Sequence, residues 1–332
     1  MHINFNLSKK IIPWYEINKR DLPWRVSKYS KEHDYYRLLS EFMLQQTQVK
    51  TVIPYFKQFI KSVPTLKSLS KTNIKKVMKL WEGLGYYRRA KNLLQTSKIL
   101  QNQNNGRLPD NHKDLMKLPG IGEYTANALL ALVYNKAVLA IDGNVKRVIA
   151  RIIKRKEDQI NFNKFLEINH AKIFNTKKKS TLVEAMMEFG ATVCTPQQPR
   201  CFHCCLKKNC KSYNLEKKST SSKKKYHKKQ YDILCYINLK KQIALKKNDN
   251  LGFLHNNLLP IIKSRNLNFK KKSWSFFKNY KKMISNKKLD INLYYKFSSK
   301  IPKDMRWFNL NESKTFVPTF TKNIINEVKT LY

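Results

Sequence analysis

Apolar positions between residues 34 and 190 fall on a helical period. Leu38, Leu39, Phe42 and Met43, with Gln46 next in phase, recur every three or four residues, as do Val77, Leu80 and Trp81, and Leu129, Leu130, Leu132 and Val133. Breaks recur at Pro54, Pro64, Gly83-Leu84-Gly85, Pro109 and Pro119-Gly120-Ile121-Gly122. This spacing predicts a bundle of short helices, without a fixed-period repeat. Residues 211–230 differ: eight lysines, one glutamate and the run Ser219–Ser222, with little apolar content, read as a linker. Beyond it, short β-like runs at Tyr231–Asn238, Gln242–Leu245, Leu289–Tyr295 and Arg306–Leu310 precede a helix over Thr321–Leu331. The pattern predicts a mainly α protein with a smaller C-terminal α+β domain.

The length, 332 residues, suits about two domains, and 42% hydrophobic content excludes a wholly disordered chain. The longest apolar stretch, around Ala128–Tyr134, falls far short of the ~20 residues of a membrane span. Met1–Lys10 has no apolar segment of a secretion signal, so a cytoplasmic location is expected, with no membrane partner. A net charge of +45 favours a polyanion partner such as nucleic acid. The excess is spread evenly, about +30 over residues 1–230 and about +15 over 231–332, and only 12 of the 67 basic residues are Arg. We hypothesise that AT-rich codons (AAA, AAT, ATT) account for part of it, so charge alone is a weak pointer to DNA.

Five of the six cysteines fall within Cys194–Cys210, which reads as a metal site rather than a disulfide framework. The spacing Cys194-x6-Cys201-x2-Cys204-x5-Cys210 puts four thiols on one loop and suits an iron–sulfur cluster or zinc. Four protein ligands leave no open position for substrate, so the role is structural. Cys205 is expected to point elsewhere, and Cys235, in a predicted strand, to be a small core residue. Arg200, Lys207 and Lys208 on the same loop are candidate phosphate contacts.

Leu118-Pro119-Gly120-Ile121-Gly122 lies between predicted helices Lys113–Lys117 and Tyr124–Tyr134. Gly120 and Gly122 let backbone approach a phosphate, and the following helix N-terminus presents N–H groups to it. Two acidic residues stand out. Glu41 sits among apolar helix neighbours; it is either an ordinary exposed helix residue or a buried acid whose pKa is raised. Asp142 ends the run Ala137–Ile141 and opens a helix at Gly143; it is an N-cap, a catalytic carboxylate, or both.

Taken together these segments resemble the MutY-type adenine DNA glycosylases of the helix–hairpin–helix superfamily. The likeness is dense in Asp21-Leu22-Pro23-Trp24-Arg25, Ser40–Val49, Trp81–Arg89, Leu118–Ala126, Asp142–Val148 and Glu184–Cys194, and spans residues 18–212 almost without gaps. It implies a six-helix barrel over 34–140, an iron–sulfur cluster domain built from 1–33 and 141–212, a basic linker at 213–230 and a divergent Nudix-like domain over 231–332. It implies a [4Fe-4S] cluster on Cys194, Cys201, Cys204 and Cys210. It implies a monomer that excises adenine opposite 8-oxoguanine or guanine in double-stranded DNA.

In such an enzyme the base leaves the stack to be reached. Glu41 would protonate N7 of adenine, and Asp142 would stabilise or trap the oxocarbenium-like sugar. Tyr124 stands where related endonuclease III-type enzymes carry a Schiff-base lysine. This argues for a glycosylase without strong lyase activity, with Tyr124 supporting Asp142 or the transition state; Lys146 is a phosphate contact and a weaker lyase candidate. By the same resemblance Arg20, Trp24, Arg25, Leu44 and Glu184 would line the adenine pocket. Gln46 and Tyr86 would wedge into the duplex, with Leu84 and Thr47 near the opposite base. Read without the family, Trp24 and Tyr86 are aromatic packing residues. The alternatives are a bifunctional glycosylase/lyase and a non-catalytic DNA-binding relative.

The C-terminal part departs from the family. No glutamate-rich Nudix hydrolase motif is present, and the lesion-reading Phe-Ser-His becomes Ile284-Ser285-Asn286. Ser285 is kept while the aromatic and the imidazole are lost, which predicts a reduced preference for 8-oxoguanine.

Overall fold

The computed structural model describes residues 2–213, 227–248, 254, 257–265, 273–284, 287–311 and 317–332. The chain divides into two units, Met1–Leu80 with Tyr86–Ser221, and Ser222–Tyr332 with the short segment Trp81–Gly85.

The first unit is helical: α1 (Leu7–Asn18), α2 (His33–Leu44), α3 (Val49–Ser62), α4 (Leu66–Lys71), α5 (Ile74–Leu80), α6 (Arg88–Gln103), α7 (His112–Met116), α8 (Glu123–Tyr134), α9 (Gly143–Ile153), α10 (Phe162–Ile173) and α11 (Lys179–Thr192). The helices flanking the Gly120 turn start one residue earlier than the pattern predicts, within ordinary end-fraying. Each helix forms because an apolar stripe finds a partner. In α9, Val145, Val148, Ile149, Ile152 and Ile153 are buried at i, i+3, i+4, i+7 and i+8. Each such side chain contributes about 1.5–3 kcal/mol of transfer free energy. Asp142 caps its N-terminus and Lys154, in the left-handed region, ends it.

One core joins the N-terminal Ile3, Leu7, Ile11 and Tyr15 to α9, α10 and α11, and Leu206 of the cysteine loop belongs to it. The chain start thus packs on segments more than 130 residues away. α1 itself, with Pro13 inside it, is a helix the periodicity did not announce. α2 packs against α3, α6 and α8, and Leu38, Leu39, Phe42 and Met43 are fully buried. Because neighbours surround it, α2 also buries Arg37, Ser40 and Glu41.

The second unit is a sheet with one helix among the described residues: β1 (His227–Asn238), β2 (Gln242–Lys247), β3 (Leu258–Leu259), β4 (Ile261–Ser264), β5 (Ser275–Ile284), β6 (Lys287–Phe297), β7 (Arg306–Asn309) and α12 (Thr319–Lys329). β6 runs parallel to β1 from His227↔Lys287 to Ile237↔Phe297. β2 and β4 share the other edge of β1, both antiparallel, and β5 pairs antiparallel with β6. Tyr231, Ile233, Cys235 and Ile237 alternate onto one face of β1 and pack with Phe320, Ile324 and Val328 of α12. Cys235 is fully buried there, as a small core residue.

Two expectations are corrected. β1 begins at His227, four residues inside the segment expected to be linker, because its lysines pair with β6. β5 was not expected to be a strand: its lysines and exposed Phe276 and Met283 blur the alternation, and its pairing with β6 supplies what local sequence does not. Ser285 and Asn286 lie outside the described residues.

Candidate active site

Glu41 is buried, not an exposed helix residue. Desolvation is the main effect on it, opposed by the charge of Arg37 and reinforced by Asp142 and Glu184, and its pKa rises to about 7. The last turn of α2, just beyond Glu41, is anchored. Arg89 donates through Nη1 to the carbonyls of Phe42, Met43 and Gln45 at 3.1, 2.6 and 2.6 Å, a cation on the negative end of the helix. Gln45 Nε2 donates to the Gly120 carbonyl at 3.1 Å, tying α2 to the glycine turn.

Asp142 is held in one orientation. Its Oδ1 accepts from the Val145 N–H at 2.7 Å and its Oδ2 from Asn144 Nδ2 at 2.7 Å. Asn144 is held in turn by Arg147, whose Nη2 donates to Asn144 Oδ1 and to the Gly190 carbonyl, each at 2.8 Å. The approach of α11 to α9 is very close here. A Cβ on Gly190 would stand 2.6 Å from Asn144 Cβ and 3.1 Å from the Asn144 backbone. Tyr124, from the first turn of α8, is partly buried; desolvation, with the nearby Glu41 and Asp142 carboxylates, pushes its hydroxyl well above the usual range.

A cleft of about 780 Å³ brings these groups together, lined among others by Glu41, Tyr124, Asp142 and Glu184. Arg20, Trp24, Arg25, Leu44, Gln46 and Thr47 also line it. Trp24 is buried edge-on to Phe56, ring centroids 5.3 Å apart, and also lines the cleft. Gln46 sits at φ 56° just past the end of α2, in the left-handed region that costs a non-glycine residue about 1–2 kcal/mol.

Sequence reasoning missed two members of this wall, Glu188 and Arg37, and Tyr15, which contacts one of its residues. Glu188, at i+4 from Glu184, accepts from Arg20 Nε at 2.5 Å, Arg20 Nη2 at 3.0 Å and Arg25 Nη2 at 2.9 Å. Burial alone would raise its pKa; these two arginines outweigh it and hold the carboxyl below its ordinary value. Tyr15 donates to Glu184 Oε2 at 2.7 Å, and Arg37 Nη1 stands 2.5 Å from Glu184 Oε1. The i, i+4 spacings Glu184/Glu188 and Arg37/Glu41 were visible signals; the partner helices were not.

The remaining candidates lie elsewhere. Gly120, at φ 82°, has no room for a side chain: a Cβ would meet Asn92 at 2.8 Å and Phe42 at 2.9 Å. Gly122 has nothing within 4 Å of that position, so its backbone is open to a ligand. Leu84 is buried in the turn after α5 and Tyr86 is half-exposed at φ 49°; neither lines the cleft among the described residues. Lys146 extends over the Phe162 ring, 5.5 Å from its centroid, also outside the cleft.

The cysteine loop wraps the C-terminal part of α9. Arg151 Nη1 donates to the Thr195 carbonyl at 2.7 Å and to Cys194 Sγ at 3.4 Å, and the Cys210 thiol donates to the Arg151 carbonyl at 3.4 Å. Cys194, Cys201, Cys204 and Cys210 are all partly buried. Among the described residues no three His, Cys, Asp or Glu side chains are arranged to hold a single metal ion. That does not count against a cubane cluster, whose four thiolates each bind a different iron and stand wider apart. No helix among the described residues is long and apolar enough to cross a membrane.

A family model described as HhH-GPD superfamily base excision DNA repair protein matches residues 39–168. An adenine DNA glycosylase of Buchnera aphidicola subsp. Baizongia pistaciae (strain Bp) is 35% identical over 96% of this chain and 95% of its own length. That of Homo sapiens is 36% identical over 61% of this chain and 38% of its own. Among solved structures, a thermostable thymine-DNA glycosylase superposes with a TM-score of 0.54 at 26% identity, over 62% of this chain and 94% of that one. An endonuclease III in a non-covalent DNA complex superposes at 0.50 and 21% identity, over 62% of this chain and 92% of that one, a likeness of fold. With likeness to one relative running nearly end to end, this chain belongs to the MutY-type adenine DNA glycosylases of the helix–hairpin–helix base-excision superfamily.

Proposed function

We propose that this protein removes adenine mispaired with 8-oxoguanine or guanine in duplex DNA, by hydrolysis of the N-glycosidic bond. The observation that carries this is one cleft holding a buried acid, Glu41, poised near neutrality, and a second carboxylate, Asp142, locked by helix N–H and amide donors. Glycosidic cleavage needs two carboxyl groups in different roles, one that gives a proton and one placed to meet the positive charge that develops on the sugar.

An adenine turned out of the duplex enters between Trp24, Leu44 and Tyr124. Glu41 donates its proton to N7, making the base a better leaving group. Asp142 faces the sugar and stabilises the positive charge that develops as the bond breaks. Water completes the reaction and leaves an abasic site. Tyr124 supplies no amine for a Schiff base, so the strand is left intact. Glu184 and the Arg20–Glu188–Arg25 group form the polar wall that receives the adenine edge, while Gln46 and Tyr86 fill the duplex where the base has left, with Leu84 and Thr47 near its partner base. Gly120, Gly122 and Lys146 approach the DNA backbone. The lesion-reading position Ser285, with its altered neighbours, carries a weakened preference for 8-oxoguanine over guanine.

The donor set fits a [4Fe-4S] cluster held by Cys194, Cys201, Cys204 and Cys210. Bound there, it cross-links the loop structurally and presents Arg200, Lys207 and Lys208 to phosphate. The protein acts as a monomer on this reading. The test is incubation with a duplex containing one adenine opposite 8-oxoguanine or guanine, followed by alkali. Cleavage only after alkali, abolished by Glu41→Gln and by Asp142→Asn, is expected; cleavage without alkali would mean lyase chemistry. Equal excision opposite both partners, insensitive to Ser285→Ala, fits the weakened lesion preference; a large 8-oxoguanine preference that survives that change refutes it.

A further inference from the structure

Four carboxylates, Glu41, Asp142, Glu184 and Glu188, line one cleft with three arginines, Arg20, Arg25 and Arg37. Their pairing is uneven. Arg20 and Arg25 both direct hydrogen bonds to Glu188, and Asp142 is satisfied by Val145 and Asn144. Glu184, which also accepts from the Tyr15 hydroxyl, and Glu41 share Arg37 as a cation. Its guanidinium stands 2.5 Å from Glu184 Oε1, nearer than Arg25 Nε at 3.8 Å. It lies four residues before Glu41 on α2, the spacing that stacks two side chains on one helix face. Arg37 is itself buried, and its Nε contacts His33 Nε2 at 3.5 Å one turn earlier, so it sits in a packed slot rather than reaching from the surface.

We propose that Arg37 is a positioning residue for this reaction, holding the Glu184 carboxylate at the pocket wall and setting the pH range over which Glu41 carries its proton. The inference rests on the reading of Glu41 as proton donor. A guanidinium stays charged at any working pH, so it is a constant field rather than a second titrating group. The other groups facing Glu41 push the opposite way or are neutral: Asp142 at the N-terminus of α9 and Glu184 on α11 disfavour its ionisation, and Tyr124 on α8 is an un-ionised hydroxyl. From α6, Arg89 is directed at the carbonyls ending α2, and from α3, Lys50 also lines the cleft. Without Arg37, burial and two carboxylates would act on Glu41 unopposed. Glu41 would then stay protonated to higher pH, and Glu184 would lose its nearest cation.

The experiment is single-turnover excision of adenine across pH, with binding of the uncleaved duplex measured alongside. The proteins are wild type, Arg37→Met, Arg37→Lys, Glu184→Gln, the double variant Arg37→Met/Glu184→Gln, and Glu41→Gln. In Arg37→Met the alkaline limb of the rate profile should move up by about one pH unit, with weakened substrate binding. Arg37→Lys should keep the limb near wild type. Glu184→Gln should move it down, and adding Arg37→Met should move it back up. This last comparison is decisive even if Arg37→Met alone does not fold, because the double variant buries no unpaired charge there. The inference is overturned if the limb is the same with and without Arg37 in both backgrounds while Glu41→Gln is inactive. An active Glu41→Gln would instead overturn the reading of Glu41, which separates the two failures.

Discussion

Gly190 tests whether the geometry of Asp142 is set by helix packing. The change Gly190→Ala adds one methyl in the last turn of α11. No backbone strain is involved, and in a helix interior Ala is favoured over Gly by roughly 0.5–1 kcal/mol. The new Cβ would lie 2.6 Å from Asn144 Cβ. Carbon atoms rest at about 3.5–4.0 Å, so α9 and α11 must separate there by about 1 Å. The neighbour is backbone and Cβ rather than a flexible side-chain end, so the strain cannot be relieved by a rotamer change. Overpacking of this kind costs about 1–3 kcal/mol, which the helix propensity partly offsets. The net loss is about 0–2.5 kcal/mol, and melting falls by no more than about 10 °C for a unit of this size. Activity should suffer more. Asn144 Nδ2 holds Asp142 Oδ2 at 2.7 Å, so Asn144 carries the carboxylate with it. A 1 Å displacement of a catalytic group costs on the order of 100-fold in rate. Single-turnover excision by a folded Gly190→Ala protein, with its melting curve, measures both. A rate within threefold of wild type would refute the claim that this contact sets the position of Asp142.

Three further outcomes follow from the same geometry. Glu41→Gln should be inactive yet more stable above neutral pH: burial raises the Glu41 pKa to about 7, so stability present below its unfolded value near 4.3 is lost as pH rises through 7. The gain at pH 8 is on the order of 3 kcal/mol, read by urea unfolding; an equal or lower midpoint there would contradict the burial argument. Gly120→Ala should destabilise by about 2–5 kcal/mol through left-handed strain and collision with Asn92 and Phe42. Gly122→Ala, in open space, should cost under about 1 kcal/mol but weaken DNA binding; equal melting temperatures for the two would be wrong for this turn. Iron and sulfide analysis should return about four of each per chain, falling on Cys204→Ser; zinc in their place would exclude the cluster.

The sequence determined much of this protein by local means. Periodicity marked helices between residues 34 and 190 because one face of each had to be apolar, and Gly120 marked a turn because its φ of 82° suits no other residue well. Asp142 announced a helix start because a carboxylate there satisfies a free N–H. The long motifs around Glu41 and Asp142 carried the family. Tertiary structure alone decided the rest. Whether Glu41 is buried depends on neighbours all round α2, which no single-helix pattern specifies. Arg37 and Glu188 became part of the cleft, and Tyr15 a partner of Glu184, because α1, α2 and α11 converge, bringing polar groups together from more than 140 residues apart. β5 is a strand because β6 offers it hydrogen bonds. Burial and charge pairing depend on which elements meet. A residue's type is local, but the dielectric and the partners that set its chemistry are not.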